Sequence, residues 1–190
     1  MPKKALIVVD MQNDFCPGGA LGVSEGDQVI EPINQLVDEF IARGDLVVYT
    51  KDFHPGDHSS FKINHPDGIW PPHCVQETEG VEFHPDLKVA GETFYKAFLA
   101  EADSYSGFGG HIKPDTTATT LEQYLKDNGV DEVTVVGLAL DYCVKSTAID
   151  AHKLGFKAIV RLDGTKPVNV NPDDGDKAVA EMRDIGISVE

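Results

Sequence analysis

Four stretches of the chain are apolar almost throughout rather than alternating: Ala5–Val9, Leu46–Thr50, Glu132–Gly137 and Lys157–Val160, each rich in Val, Ile or Leu. Continuous runs of that kind are expected of strands buried on both faces, as in a parallel sheet covered by helices. Between them apolar residues recur at helical spacing. Val29, Ile33, Leu36, Val37, Phe40 and Ile41 define one face of a helix over Val29–Ala42, closed by Arg43-Gly44. Leu121–Lys126 stops before Asn128-Gly129, Cys143–Leu154 before Gly155, and Asp173–Ile185 before Gly186. Thr93–Tyr95 adds a short strand, and Ile187–Val189 a last one at an edge. Strand–helix alternation predicts an α/β fold, a three-layer α/β/α sandwich with a mainly parallel central sheet and right-handed crossovers. It spans one domain, residues 1–190.

Residues 51–91 break this rhythm. The segment holds five of the eleven prolines and five of the seven histidines, and a long irregular insertion inside a compact domain is usually functional or disordered. Its histidines, prolines and the single tryptophan favour function. The three cysteines, Cys16, Cys74 and Cys143, are too few and odd in number for a disulfide framework and fit a reducing, cytoplasmic setting. Cys16 and Cys74 read as buried or loop thiols. The apolar run after Lys3 and Lys4 is too short for a signal peptide, and nothing approaches a membrane span. A net charge of −16 disfavours nucleic acid and anionic membranes as partners. A neutral small-molecule substrate suits it, and a homo-oligomer is compatible with it.

Ligands in open α/β sheets bind at the carboxyl ends of the strands. Three polar residues fall there: Asp10 after the first strand, Lys96 after Thr93-Phe94-Tyr95, and Cys143 after the strand that ends at Gly137. A cysteine opening a helix meets the positive end of the backbone dipole, which favours the thiolate. A nearby lysine adds to that effect, and a carboxylate can take the thiol proton. Each residue also has a plain reading: a helix cap, a solvated lysine, a buried thiol. A second group suggests a metal. Asp52 and His54 are two apart at a strand end, so both side chains point to one side. His73 follows the stiff Trp70-Pro71-Pro72. One carboxylate and two imidazoles suit Zn²⁺ foremost, with Fe²⁺ or Mn²⁺ as alternatives. His58 is a candidate fourth ligand, and Ser60 a contact for a metal-bound water. His65 and His84 read as loop histidines.

These residues carry a resemblance. Val9-Asp10-Met11-Gln12-Asn13-Asp14-Phe15, Asp52-Phe53-His54-Pro55, Trp70-Pro71-Pro72-His73-Cys74, Lys96 with Ser106-Gly107-Phe108, and Gly137-Leu138-Ala139-Leu140-Asp141-Tyr142-Cys143-Val144 occur in this order. Over nearly its whole length the chain resembles the nicotinamidase/pyrazinamidase family of the isochorismatase-like cysteine hydrolases. The resemblance implies hydrolysis of nicotinamide to nicotinate and ammonia through a cysteine thioester. It implies a triad of Asp10, Lys96 and Cys143, and a metal on Asp52, His54 and His73 that binds the pyridine nitrogen rather than the scissile carbonyl. A further histidine binds the metal in one branch of the family, and His58 is its nearest counterpart. The resemblance also implies a cis peptide before Ala139, an oxyanion hole from the N–H groups of Ala139 and Cys143, and ring contacts from Phe15, Trp70 and Tyr105. The position of Leu140 commonly holds threonine, so this chain lacks a hydroxyl there. Sister activities on isochorismate or carbamoyl amides share the triad but usually lack the metal histidines.

Overall fold

The computed structural model describes residues 3–190. Its elements are β1 (Lys3–Val9), α1 (Ile30–Arg43), β2 (Leu46–Asp52), β3 (Glu92–Lys96), α2 (Leu121–Asp127), β4 (Val130–Leu138), α3 (Lys145–Lys153), β5 (Lys157–Lys166), α4 (Asp174–Asp184) and β6 (Ser188–Val189). The strands form one sheet in the order β3-β2-β1-β4-β5-β6, and every pairing is parallel. The alternation of side chains along β1 explains its unbroken apolarity. Ala5, Ile7 and Val9 enter one core with Leu121, Leu125, Ala148 and Met182, whereas Leu6 and Val8 enter another with Ile33, Val37 and Phe40. Helices α2, α3 and α4 thus cover one face. Helix α1 covers the other, together with Cys74, Val81 and Leu87 from the irregular segment. Gly44 closes α1 in the left-handed conformation (φ 74°), its N–H donating to the carbonyls of Phe40 and Ile41. Glycine takes that conformation without strain.

Several expected boundaries move, and β5 runs on from Val160 to Lys166. Strand β2 runs on through Lys51 and Asp52, so the irregular segment starts at Phe53, with a single 3₁₀ turn at Glu79–Val81 as its regular structure. More consequentially, the α-helix expected from Cys143 starts at Lys145. A π turn, Leu140–Val144, precedes it, because the chain leaves β4 extended at Ala139 and Val144 N–H donates to Ala139 O, five residues back, at 3.1 Å. Cys143 is therefore held in a wider loop of backbone than an α-helix provides. From β1 the chain winds outward to β2 and β3, and from β4 to β5 and β6. The carboxyl ends of β1 and β4 consequently flank the crevice where the winding reverses, the usual place for a ligand in such sheets.

Candidate active site

Four neighbouring strands each deliver one side chain to this crevice: Lys96 ends β3, Asp52 ends β2, Asp10 follows β1 and Cys143 follows β4. Three strand spacings span about 14 Å, which explains why the outermost strand carries the longest side chain. The Lys96 stem crosses the intervening strand ends, and Nζ arrives 3.0 Å from Asp10 Oδ2, in contact with Asp52 Oδ1, and 3.6 Å from Cys143 Sγ. The Ser104 carbonyl accepts a further hydrogen bond from Nζ at 3.2 Å. Asp10 adopts a left-handed backbone (φ 47°) that turns its carboxylate back over the strand end, a conformation that Asp tolerates better than most residues. Thr50 Oγ1 donates to Asp10 Oδ1 at 2.7 Å. Asp10 Oδ2 faces the Lys96 ammonium but makes no aligned hydrogen bond, so it keeps a lone pair able to accept a proton.

Burial decides the charge states. Asp10, Lys96 and Cys143 are all buried. The Cys143 thiol is pushed well above its ordinary range by burial, which Lys96 opposes and Asp10 and Asp52 reinforce. The loss of water around the sulfur thus opposes the pull that the helix start and Lys96 exert toward the thiolate. Burial likewise raises Asp10, against the pull of Lys96. For Asp52 burial opposes ionisation, yet Lys96 and His54 hold its carboxyl far below the usual range. Lys96 stays protonated because Asp10 and Asp52 outweigh the cost of its burial. In chelator-treated protein, Lys96→Met should move the pH profile of Cys143 alkylation upward by about one pH unit or more. Mass spectrometry would separate Cys143 from Cys16 and Cys74, and superimposable profiles would remove Lys96 from the site.

The metal-like residues also converge. Ligand atoms of Asp52, His54 and His73 lie within 4.8 Å of one another, and all three residues are buried. Gln12 sets the end of β2: its Oε1 accepts from Asp52 N–H at 2.8 Å, and its Nε2 donates to the carbonyls of Asp52 at 2.8 Å and Val81 at 2.9 Å. His54 N–H donates to Cys74 O and His54 O accepts from Gln76 N–H, which seats the loop carrying His73 against β2. His73 Nδ1 lies 2.8 Å from Pro71 O. A carbonyl only accepts, so Nδ1 carries the proton. Burial keeps the ring neutral, which leaves Nε2 with a lone pair, the tautomer that ligates metal. His54 Nδ1 is buried without a partner. This donor set fits a divalent cation. His58 is fully buried against His54, ring centroids 4.2 Å apart. Its Nδ1 faces Ser60 Oγ at 2.8 Å and its Nε2 has only a long contact, 3.4 Å, with Ala102 O, so His58 stays beside the trio as a candidate fourth ligand.

The cleft over these groups encloses about 440 Å³, part of it open to solvent. Phe15, Trp70 and Tyr105 line it, with Ala139 and Cys143, and the peptide before Ala139 is cis. Trp70 Nε1 donates to Tyr105 OH at 3.0 Å. Tyr142, which no sequence pattern singles out, joins these two. It packs on Trp70 (centroids 5.1 Å) and on Tyr105 (5.5 Å), closing an aromatic wall beside Cys143. Leu21 and Val168 complete the apolar lining, and no periodicity marks either.

The isochorismatase domain model matches residues 4–189. The nicotinamidase of Escherichia coli strain K12 is 41% identical over 204 aligned residues, covering 100% of this chain and 95% of that protein. The nicotinamidase/pyrazinamidase of Mycobacterium tuberculosis is 43% identical, covering 98% and 97%. Among solved structures, the pyrazinamidase of Pyrococcus horikoshii in complex with zinc superposes with a TM-score of 0.87 at 41% identity, covering 100% of this chain and 99% of that one.

Proposed function

Because the chain belongs to the isochorismatase domain family, we propose that it is a nicotinamidase, an amidohydrolase that converts nicotinamide to nicotinate and ammonia. The observation that carries this reading is the meeting of Asp10, Lys96 and Cys143 at the base of a cleft whose other wall holds Asp52, His54 and His73. Similarity to nicotinamidases and pyrazinamidases over the whole chain supports it.

The substrate is neutral and flat, suited to a slot between Phe15 and the aromatic wall. Asp10 Oδ2 takes the thiol proton as Cys143 Sγ attacks the amide carbon. The N–H groups of Ala139 and Cys143 stabilise the developing oxyanion, at about 2.7–4 kcal/mol per donor in comparable sites. Asp10 returns the proton to the departing nitrogen as the C–N bond breaks, leaving ammonia and a thioester on Cys143. Water then attacks the thioester, Asp10 receiving one of its protons, and release of nicotinate restores the thiol. Lys96 holds the carboxylates in place and stabilises the sulfur anion whenever it forms. We assign Asp52, His54 and His73, with His58 in reserve, as ligands of one divalent cation, zinc foremost. When bound, it supplies a Lewis-acid position that orients the pyridine nitrogen. Three buried free thiols support a reducing, cytoplasmic setting.

Two measurements bear on this directly. Purified protein should release ammonia and nicotinate from nicotinamide, and iodoacetamide should stop it; no release from metal-loaded protein would reject the reading. The protein should also carry close to one equivalent of transition metal, and His54→Ala or His73→Ala should lose most of it, since two remaining protein ligands compete poorly with buffer. Equal metal content in all three proteins by elemental analysis would refute the ligand assignment.

A further inference from the structure

The ammonium of Lys96 sits where a metal ion would. Nζ is fully buried among four acceptors of the kinds that ligate divalent cations: Asp10 Oδ2 at 3.0 Å, Asp52 Oδ1, the Ser104 carbonyl at 3.2 Å and Cys143 Sγ at 3.6 Å. Ligand atoms of Asp10, Asp52 and Cys143 lie within 4.8 Å of one another, as close as those of Asp52, His54 and His73. Asp52 belongs to both groups. Its Oδ1 meets the ammonium, while its Oδ2 lies 3.6 Å from His54 Nε2. A cation pair clamped across adjoining sites is the arrangement of two-metal hydrolases.

We propose that Lys96 occupies the second cation position of a carboxylate-bridged pair, keeping divalent metal off Asp10 and Cys143 and confining it to Asp52, His54 and His73. The proposal rests on the reading of those three residues as the metal site. Its chemical sense lies in what a metal at the second position would do. It would take the sulfur electron pair that must attack the substrate, and the Asp10 lone pair that must accept the thiol proton. Sulfur attracts soft cations in particular, and a site with two carboxylates beside it would draw them in. A tethered ammonium balances the same charge, offers only hydrogen bonds, and leaves the sulfur free to form a covalent bond.

The test titrates Cd²⁺ into full-length protein that already carries its first equivalent of Zn²⁺. Thiolate-to-cadmium charge-transfer absorption and bound metal after gel filtration are read together. Wild type should gain neither the band nor a second equivalent. Lys96→Ala should gain both, and adding Cys143→Ala to it should remove the band, which assigns the sulfur to Cys143 rather than to Cys16 or Cys74. Lys96→Ser carries the same expectation if the alanine variant does not fold. A Cys143-dependent band in wild type, or none in a folded Lys96 variant, overturns the proposal. The metal-site reading fails separately, if wild type retains no first equivalent or if His54→Ala and His73→Ala retain it undiminished.

Discussion

Cys143→Ala should reduce the rate of ammonia release by on the order of 10⁴-fold or more, as expected when the nucleophile is removed from a set of groups that act as a unit, while leaving metal content unchanged. The thiol is the only group in the cleft able to form the thioester. Asp10 and Lys96 are both engaged in charge pairing, Ser104 Oγ donates to the Ser106 carbonyl, and Ser60 Oγ pairs with His58 Nδ1 rather than with Asp10 or Lys96. The fold should survive, though not untouched. Cys143 packs into the core with Val144 and Leu140. Loss of a buried sulfur costs about 1 kcal/mol, a fall in melting temperature of about 2–4 °C for a domain of this size. Retention of more than a few per cent of the rate would show that Cys143 is not the nucleophile. A variant that is inactive and unfolded would be replaced by Cys143→Ser, which keeps the packing and loses the sulfur.

The second large effect concerns the ring. Nicotinamide should be cleaved with a kcat/KM on the order of 10²-fold above that of benzamide, the scale on which misplacement by about 1 Å lowers rates. The two amides differ by a single ring atom: a lone pair in one, a C–H in the other. With the lone pair held on the side of Asp52, His54 and His73, the carboxamide is presented to Cys143 in one orientation. Benzamide has no such anchor and turns within the aromatic wall of Trp70, Tyr105 and Tyr142. If the cation acted at the carbonyl, both amides would offer it the same group and react within a few-fold of each other. A ratio near one in metal-loaded protein would overturn the positioning role even if nicotinamide were a good substrate.

The sheet and the residues at its strand ends were legible because they are consequences of burial. Val, Ile and Leu runs mark strands covered on both faces, and Asp10, Lys96 and Cys143 stand where such runs end. What the pattern does not encode is proximity between distant segments. Nothing in the sequence places Lys96 against Asp52 as firmly as against Asp10, because strand order is invisible until β2 lies between β1 and β3. Tyr142 was hidden by its motif, where its neighbour Cys143 draws the attention; a large aromatic next to a nucleophile on a tight turn is the signal that would have found it. The balance of forces on the Cys143 thiol is hidden in the sequence for a related reason. A dipole is readable from position in a helix, but the desolvation that outweighs it depends on everything packed around the sulfur.

The division of the sheet into two windings has a consequence for synthesis of the chain. The half β3-β2-β1 comes entirely from the first 96 residues, and Asp10, Asp52 and Lys96 all belong to it. Translation proceeds at about 5–20 residues per second, so these three side chains leave the ribosome several seconds before α4 and β6 complete the fold. Two carboxylates brought side by side without a cation would repel each other in the forming core. Lys96 arrives with the third strand of the same half, so the repulsion can be cancelled within it, and only afterwards does β4 bring the thiol alongside. The order of synthesis thus makes a cation available to both carboxylates before β4 brings the thiol.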